Sequence, residues 1–246
     1  MNTGHHHRAF LITTVWTLGL LFLGSVVHAT ESGLACPDWP TCFGTLMPEM
    51  TGGVFWEHLH RLVAGGLVVI FIGATYMAWR PEAHRPAVRR WALAGIGLLL
   101  VQSVFGGVTV LMRLPDAVST THLALAFLFV ALATVLTVVT SPAWTEGKGT
   151  WQGVRELRRL AVAAAGLTFL QSVLGGAVRH MDAGLVCPDI PLCLGQWIPP
   201  LQNAAVVVHF SHRMTGLLLL IAVLVLSVRA MRRLGPSLAR ALALSA

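Results

Sequence analysis

Six apolar runs, each close to the length of a bilayer crossing, constrain this chain more than anything else in it. They lie at about 9–29, 54–79, 91–112, 119–140, 160–179 and 204–228. A run of some 20 apolar residues reads as a membrane-spanning helix. Composition agrees. Of 246 residues, 55% are hydrophobic and 11% charged, whereas soluble domains carry about 25% charged residues. The expected fold is an all-α, polytopic membrane helical bundle.

Charge orders the spans. The loop near 80–90 carries Arg80, Arg85, Arg89 and Arg90, and the loop near 141–159 carries Lys148, Arg155, Arg158 and Arg159. Arg229, Arg232, Arg233 and Arg240 follow the sixth span. The loops near 30–53 and 180–203 contain no Lys or Arg. The positive-inside rule puts the arginine-rich loops and both termini in the cytoplasm and the other two loops outside, across the plasma membrane. The net charge of +7 is thereby explained by topology, with lipid and not nucleic acid as the surrounding partner. No Walker loop, dinucleotide fingerprint or zinc-finger spacing is present. Val27-His28-Ala29 has the look of a signal-peptidase site, but the apolar run before it is long for a signal core. The first span is read as retained, and His5, His6 and His7 receive no role.

The chain repeats itself. Gly33-Leu-Ala-Cys36-Pro37-Asp38-Trp39-Pro40-Thr41-Cys42-Phe43-Gly44 matches Gly184-Leu-Val-Cys187-Pro188-Asp189-Ile190-Pro191-Leu192-Cys193-Leu194-Gly195, 151 residues on. His60-Arg61 matches His212-Arg213, 152 residues on. Span 1 therefore pairs with span 5 and span 2 with span 6, as parallel repeats in the same orientation. The halves are expected at 1–145 and 146–246. Gln102-Ser103-Val104-Phe105-Gly106-Gly107 and Gln171-Ser172-Val173-Leu174-Gly175-Gly176 also look alike; their glycines permit close approach of helices or of a macrocycle.

All four cysteines fall in the two matched loops, as Cys-x5-Cys pairs on the oxidising side, where disulfides persist. Disulfides Cys36–Cys42 and Cys187–Cys193 would shape each loop into a rigid lid. Buried thiols or a zinc site are the other readings, and the zinc spacing is not the usual one. Thiol exchange stays open, without the reactive Cys-x-x-Cys pattern.

Chemistry is expected at Trp56-Glu57-His58-Leu59-His60-Arg61, which sets ionisable groups at the start of a span. Such groups are costly in a bilayer and are functional candidates by default. Their bland alternative is snorkelling to the interface. Glu57 and His60, three apart, share a helix face. His60, His122 and His212 lie at one depth, within roughly 5–12 Å of the outward helix ends at 1.5 Å per residue. Inward imidazoles from different helices at one level suit bis-His haem ligation. A hydrogen-bonded structural role is the alternative, foremost for His122. Arg61 and Arg213 could pair with haem propionates. His58 and His209 are secondary candidates, and His209 occupies the place that Glu57 holds in the first half. His28, His84 and His180 read as interfacial.

Together, Glu57-x-x-His60-Arg61, His122, His212-Arg213 and the two Cys-x5-Cys loops resemble the haem A synthase family. The resemblance implies a membrane oxidoreductase that converts a methyl group of haem O into the formyl group of haem A, for terminal oxidases. It implies haem O as substrate in the first half, with Glu57 as catalytic carboxylate, and a haem b cofactor in the second. A haem O synthase and an electron acceptor are the expected partners; oligomeric state is not readable. The family has eight spans and a fourth histidine in the last. This sequence ends at Ala246 with Leu238–Leu244 read as the start of a seventh helix. The second half is thus expected to be incomplete. At best one bis-His haem, in the first half, is expected, with weak activity or none and a chain that is unstable or dependent on a second chain. Two further readings stay open: a di-haem b-type electron carrier, which has no need of Glu57, and a thiol-disulfide oxidoreductase.

Overall fold

A computed structural model describes residues 4–146 and 155–243, with side chains to Arg232. It is all-helical: α1 (His5–Ala29), α2 (Gly52–Trp79), α3 (Pro86–Leu111), α4 (Asp116–Val139), the short α5 (Pro142–Thr145), α6 (Arg155–His180) and α7 (Ala204–Ala243). Six of these are long and apolar enough to cross a membrane, and the protein is a multi-pass membrane protein. Five of these six helices start earlier than their apolar runs do. Pro86 opens α3 ahead of Arg89 and Arg90, because proline suits a helix's first position and arginine is a good helix former. Lys148 lies outside the described residues.

The sixth span corrects one expectation. The segment read as the start of a seventh helix continues α7 unbroken as far as Ala243. The arginines from Arg229 onward end the apolar run but not the helix, since arginine costs a helix little.

The chain divides into two units, Met1–Gly149 and Thr150–Ala246. In the first, α1 packs on α2 and α4, and α3 packs on α4 and α2. The four helices form a ring in which α2 and α4 lie on a diagonal. Its core gathers Phe10, Leu67, Phe71, Leu99, Phe129 and Leu136. Phe71 meets Phe129 edge-on at 5.0 Å between centroids, a favoured aromatic geometry. Phe10 is near the start of α1, Leu99 midway along α3, and Leu67, Phe71, Phe129 and Leu136 in the second halves of α2 and α4. The apolar core therefore fills the half of the bundle next to the α2–α3 turn. The half next to the cysteine loop holds the buried polar side chains of Glu57, His58, Thr109 and Ser119 beside Val27 and Val110.

A buried polar cluster closes the core end. Glu82, in the α2–α3 turn, is 2% exposed. Its carboxylate takes a 2.8 Å hydrogen bond from His6 Nε2 and a two-pronged ion pair from Arg85. Arg85 Nη1 also donates to the Val139 carbonyl at 2.7 Å. His6, given no role from sequence, thus anchors the first helix.

In the second unit α6 packs on α7, and a 3-10 turn at Ala183–Leu185 touches both. Val206 and Phe210 pack against Cys187 and Cys193.

Candidate functional site

Each cysteine loop is folded by its own sequence. Cys36 and Cys42 are bonded, with Cα atoms 4.9 Å apart, and Cys187 and Cys193 likewise, 4.6 Å apart. Cys42 and Thr45 exchange two backbone hydrogen bonds, as do Cys193 and Gln196. Each turn has two left-handed residues in a row, Phe43 and Gly44 (φ 53° and 72°) and Leu194 and Gly195 (φ 53° and 74°), a conformation that suits the glycines. Asp38 accepts from the Thr41 hydroxyl and from the N–H groups of Phe43 and Gly44. Those bonds, the Thr41 hydroxyl first, hold its carboxyl below its ordinary value of 3.8. A depressed carboxyl stabilises the fold above its ordinary pKa and loses that contribution as pH falls through its lowered one. Reduction of Cys36–Cys42 by a water-soluble phosphine should thus stay slow down to pH 3.8 and accelerate only below it. In Asp38→Asn the fast rate should already hold at neutral pH.

The loop is clamped to α2 by the residues singled out from sequence. Arg61 Nη1 donates to the carbonyls of Asp38 (2.7 Å) and Thr41 (2.5 Å), and Nη2 to Glu57 Oε1 at 2.5 Å. Glu57, 4% exposed, accepts the Cys36 N–H on its other oxygen at 2.8 Å. His58 Nε2 donates to the Leu46 carbonyl at 2.9 Å, and its ring lies beside the disulfide. Those sulfurs are bonded to each other, so this trio offers no metal site. Trp39 seats the loop on α3: a Cβ added at Gly107 would fall 2.6 Å from its ring.

The second unit has the same clamp without the carboxylate. Arg213 Nη1 donates to the carbonyls of Asp189 (2.6 Å) and Leu192 (2.8 Å), and Nη2 to that of Cys187. Arg213 Nε donates to His209 Nε2 at 2.9 Å, and His209 Nδ1 donates to the Ala183 carbonyl. His209 takes the structural place of Glu57. Both arginines, expected at propionates, thus direct Nη1 at loop carbonyls, while Nη2 meets Glu57 in the first unit and the Cys187 carbonyl in the second.

The histidines sit below the clamps. His60 on α2 and His122 on α4 are near enough to interact electrostatically, across the diagonal of the ring. Among the described residues, His60 Nδ1 is buried with no hydrogen-bond partner, as is His212 Nδ1. His212 Nε2 faces the Gln171 amide at 3.3 Å. Each of these rings rests on a glycine of a neighbouring helix, Gly24 or Gly175, where a Cβ would intrude. Orphaned imidazole nitrogens beside side-chain-free helix surface are what a flat, iron-bearing macrocycle needs, so the residues present fit a haem. Sequence reading found the histidines. It missed Gly24, which lies 151 residues before Gly175, and it paired Glu57 with His60 where the structure pairs it with Arg61 at the i, i+4 spacing.

Known proteins resemble this chain over most of its length. The chain is 30% identical to the heme A synthase of Halalkalibacterium halodurans, across 92% of this chain and 78% of that one. It is 32% identical to the heme A synthase of Symbiobacterium thermophilum, across 86% and 71%. For that of Shouchella clausii the figures are 30%, 90% and 74%. The model of the COX15-CtaA family matches at residues 7–53 and 49–246, which takes in both clamps, both disulfides and all three histidines. The chain belongs to the COX15-CtaA family of cytochrome oxidase assembly proteins.

Proposed function

We propose that this protein is a haem A synthase, which oxidises a methyl group of haem O to the formyl group of haem A in the membrane. The observation that carries the reading is the difference between the two clamps. Among the described residues, Arg213 grips its loop through backbone carbonyls and His209, with no carboxylate among its hydrogen-bond partners. Loop architecture therefore does not require one at position 57. A buried carboxylate in a bilayer is costly, and its presence in the first unit alone supports a chemical role there.

The substrate haem is assigned to the half spanning 1–145, with His60 and His122 as ligands on the diagonal helices. A haem b cofactor is assigned to the half spanning 146–246, with His212. Bound haem supplies the redox chemistry at its iron. Glu57 offers negative charge to a reacting centre that loses electrons and protons. Its own charge is held in place by Arg61 and the Cys36 N–H. The disulfide loops act as lids that exclude water. Arg61 and Arg213 carry the positive charge that propionates favour at this level. The electron acceptor and a haem O synthase would be partners outside this chain.

Mass identification of haems extracted from the purified full chain tests the function. Haem O, a hydroxylated intermediate and haem A should all be found; haem b alone would leave a plain electron carrier. We also place both cysteine loops outside the plasma membrane and both termini in the cytoplasm, from the arginine distribution. A reporter fused after Arg85 should read cytoplasmic and one beside Asp189 external. The reverse result would overturn the placement.

A further inference from the structure

Three imidazoles meet a glycine in the same way. A Cβ added at Gly24 would stand 3.2 Å from His60 Cε1, one at Gly106 3.1 Å from His122 Cε1, and one at Gly175 3.0 Å from His212 Cε1. The register is the same each time. Gly24 precedes Ala29, Gly106 precedes Leu111 and Gly175 precedes His180, each by five residues, and those three residues end α1, α3 and α6. The histidine sits near the start of the next long helix, in α2, α4 and α7, which packs against the glycine's helix. The helical hairpin is thus the unit that seats a histidine, and it occurs three times.

We propose that Gly24, Gly106 and Gly175 are positioning residues for His60, His122 and His212. Lacking a side chain, each lets an imidazole lie against helix backbone and so sets the rotation of the ring. This rests on the reading of these histidines as haem ligands. Packing has to do the work at two of the sites, because His60 Nδ1 and His212 Nδ1 have no hydrogen bond to hold them. At His212 the Gln171 amide adds support, itself packed on Gly216. A Cβ at these separations is closer than ordinary contact, so alanine would push each ring aside by a few tenths of an ångström. The direction of the ligand lone pair would turn with it. The same three helices provide controls: a Cβ at Gly19, Gly97 or Gly166 meets nothing within 4 Å.

The test uses the full chain, its ferric low-spin spin-resonance spectrum, and titration of the haem-free protein with iron protoporphyrin IX. The relative orientation of two axial imidazoles sets the g anisotropy of a low-spin ferric haem. Gly24→Ala and Gly106→Ala should each shift the g values and weaken haem binding at least about fivefold, as overpacking against a well-seated ring does. Gly175→Ala should weaken haem binding at the His212 site by a like factor. Gly19→Ala, Gly97→Ala and Gly166→Ala should leave spectrum and affinity unchanged. Valine at 24, 106 and 175 should enlarge the shift. Wild-type g values and affinity in Gly24→Ala and Gly106→Ala would overturn the proposal. So would a lowered Tm with unchanged g values, which marks plain packing residues. Failure of the underlying reading looks different: His60→Ala and His122→Ala would then keep the low-spin signal, whatever the glycines do.

Discussion

Glu57→Gln should lower formation of the formyl product by about 10²–10³-fold, the usual cost of losing one well-placed electrostatic group. Haem content should stay at the wild-type level. Glutamine keeps the shape, and its amide oxygen can still accept the Cys36 N–H. What it loses is the charge that Arg61 faces at 2.5 Å. Glu57→His is the sharper variant, because the second unit already contains that arrangement. There the histidine accepts from its arginine, donates to a backbone carbonyl, and the loop stays clamped. Glu57→His should therefore retain the Cys36–Cys42 bond and the haem spectrum while product formation falls as far as in Glu57→Gln. Product appearing at the wild-type rate in both variants would remove the argument for a catalytic carboxylate and return the protein to electron transfer. Loss of haem from both would mean that Glu57 serves the lid.

Much of this is legible in the sequence. Span length and the arginine alternation give six membrane helices, because the bilayer imposes one length and one solution on them. The 151-residue repeat gives two loops of like build, and both have the same bridge and the same left-handed glycine. The arginine clamps were not legible, for a physical reason. Arg61 and Arg213 bind backbone carbonyls of residues 20 to 26 positions away. Every residue has such a carbonyl, so nothing in the sequence marks those that are used. The i, i+3 relation of Glu57 to His60 was a true statement about the helix face. The i, i+4 ion pair with Arg61 is the stronger partnership for a carboxylate that has left water, since a buried charge needs its counter-charge. The glycine seats were half visible. Gly106 and Gly175 stood out as repeated pairs, but only the fold brings each to an imidazole.

Glu82→Ala should destabilise the first unit by about 3 kcal/mol, the range found when one partner of a buried ion pair is removed. The carboxylate is the hub of three elements. His6 brings the start of α1 to it, Arg85 binds it with two nitrogens from the head of α3, and the same guanidinium holds the Val139 carbonyl at the end of α4. Without Glu82, Arg85 keeps a charge that is only 24% exposed and has no counter-ion within this cluster. His6, 4% exposed at its side chain, loses its acceptor. Glu82→Gln retains one acceptor and should cost less, about 1–2 kcal/mol. In detergent, the full chain with Glu82→Ala should melt roughly 6–12 °C below wild type, taking 2–4 °C per kcal/mol for a protein of this size. His60 and His122 lie in the opposite half of this four-helix unit, beyond Phe71, Phe129 and Leu136. The haem spectrum at temperatures well below melting should therefore be unchanged. An unchanged Tm would show that water already satisfies His6 and Arg85, and that the cluster does not bolt α1 to the bundle. A shifted haem spectrum at full folding would show that the aromatic core transmits strain between the two halves.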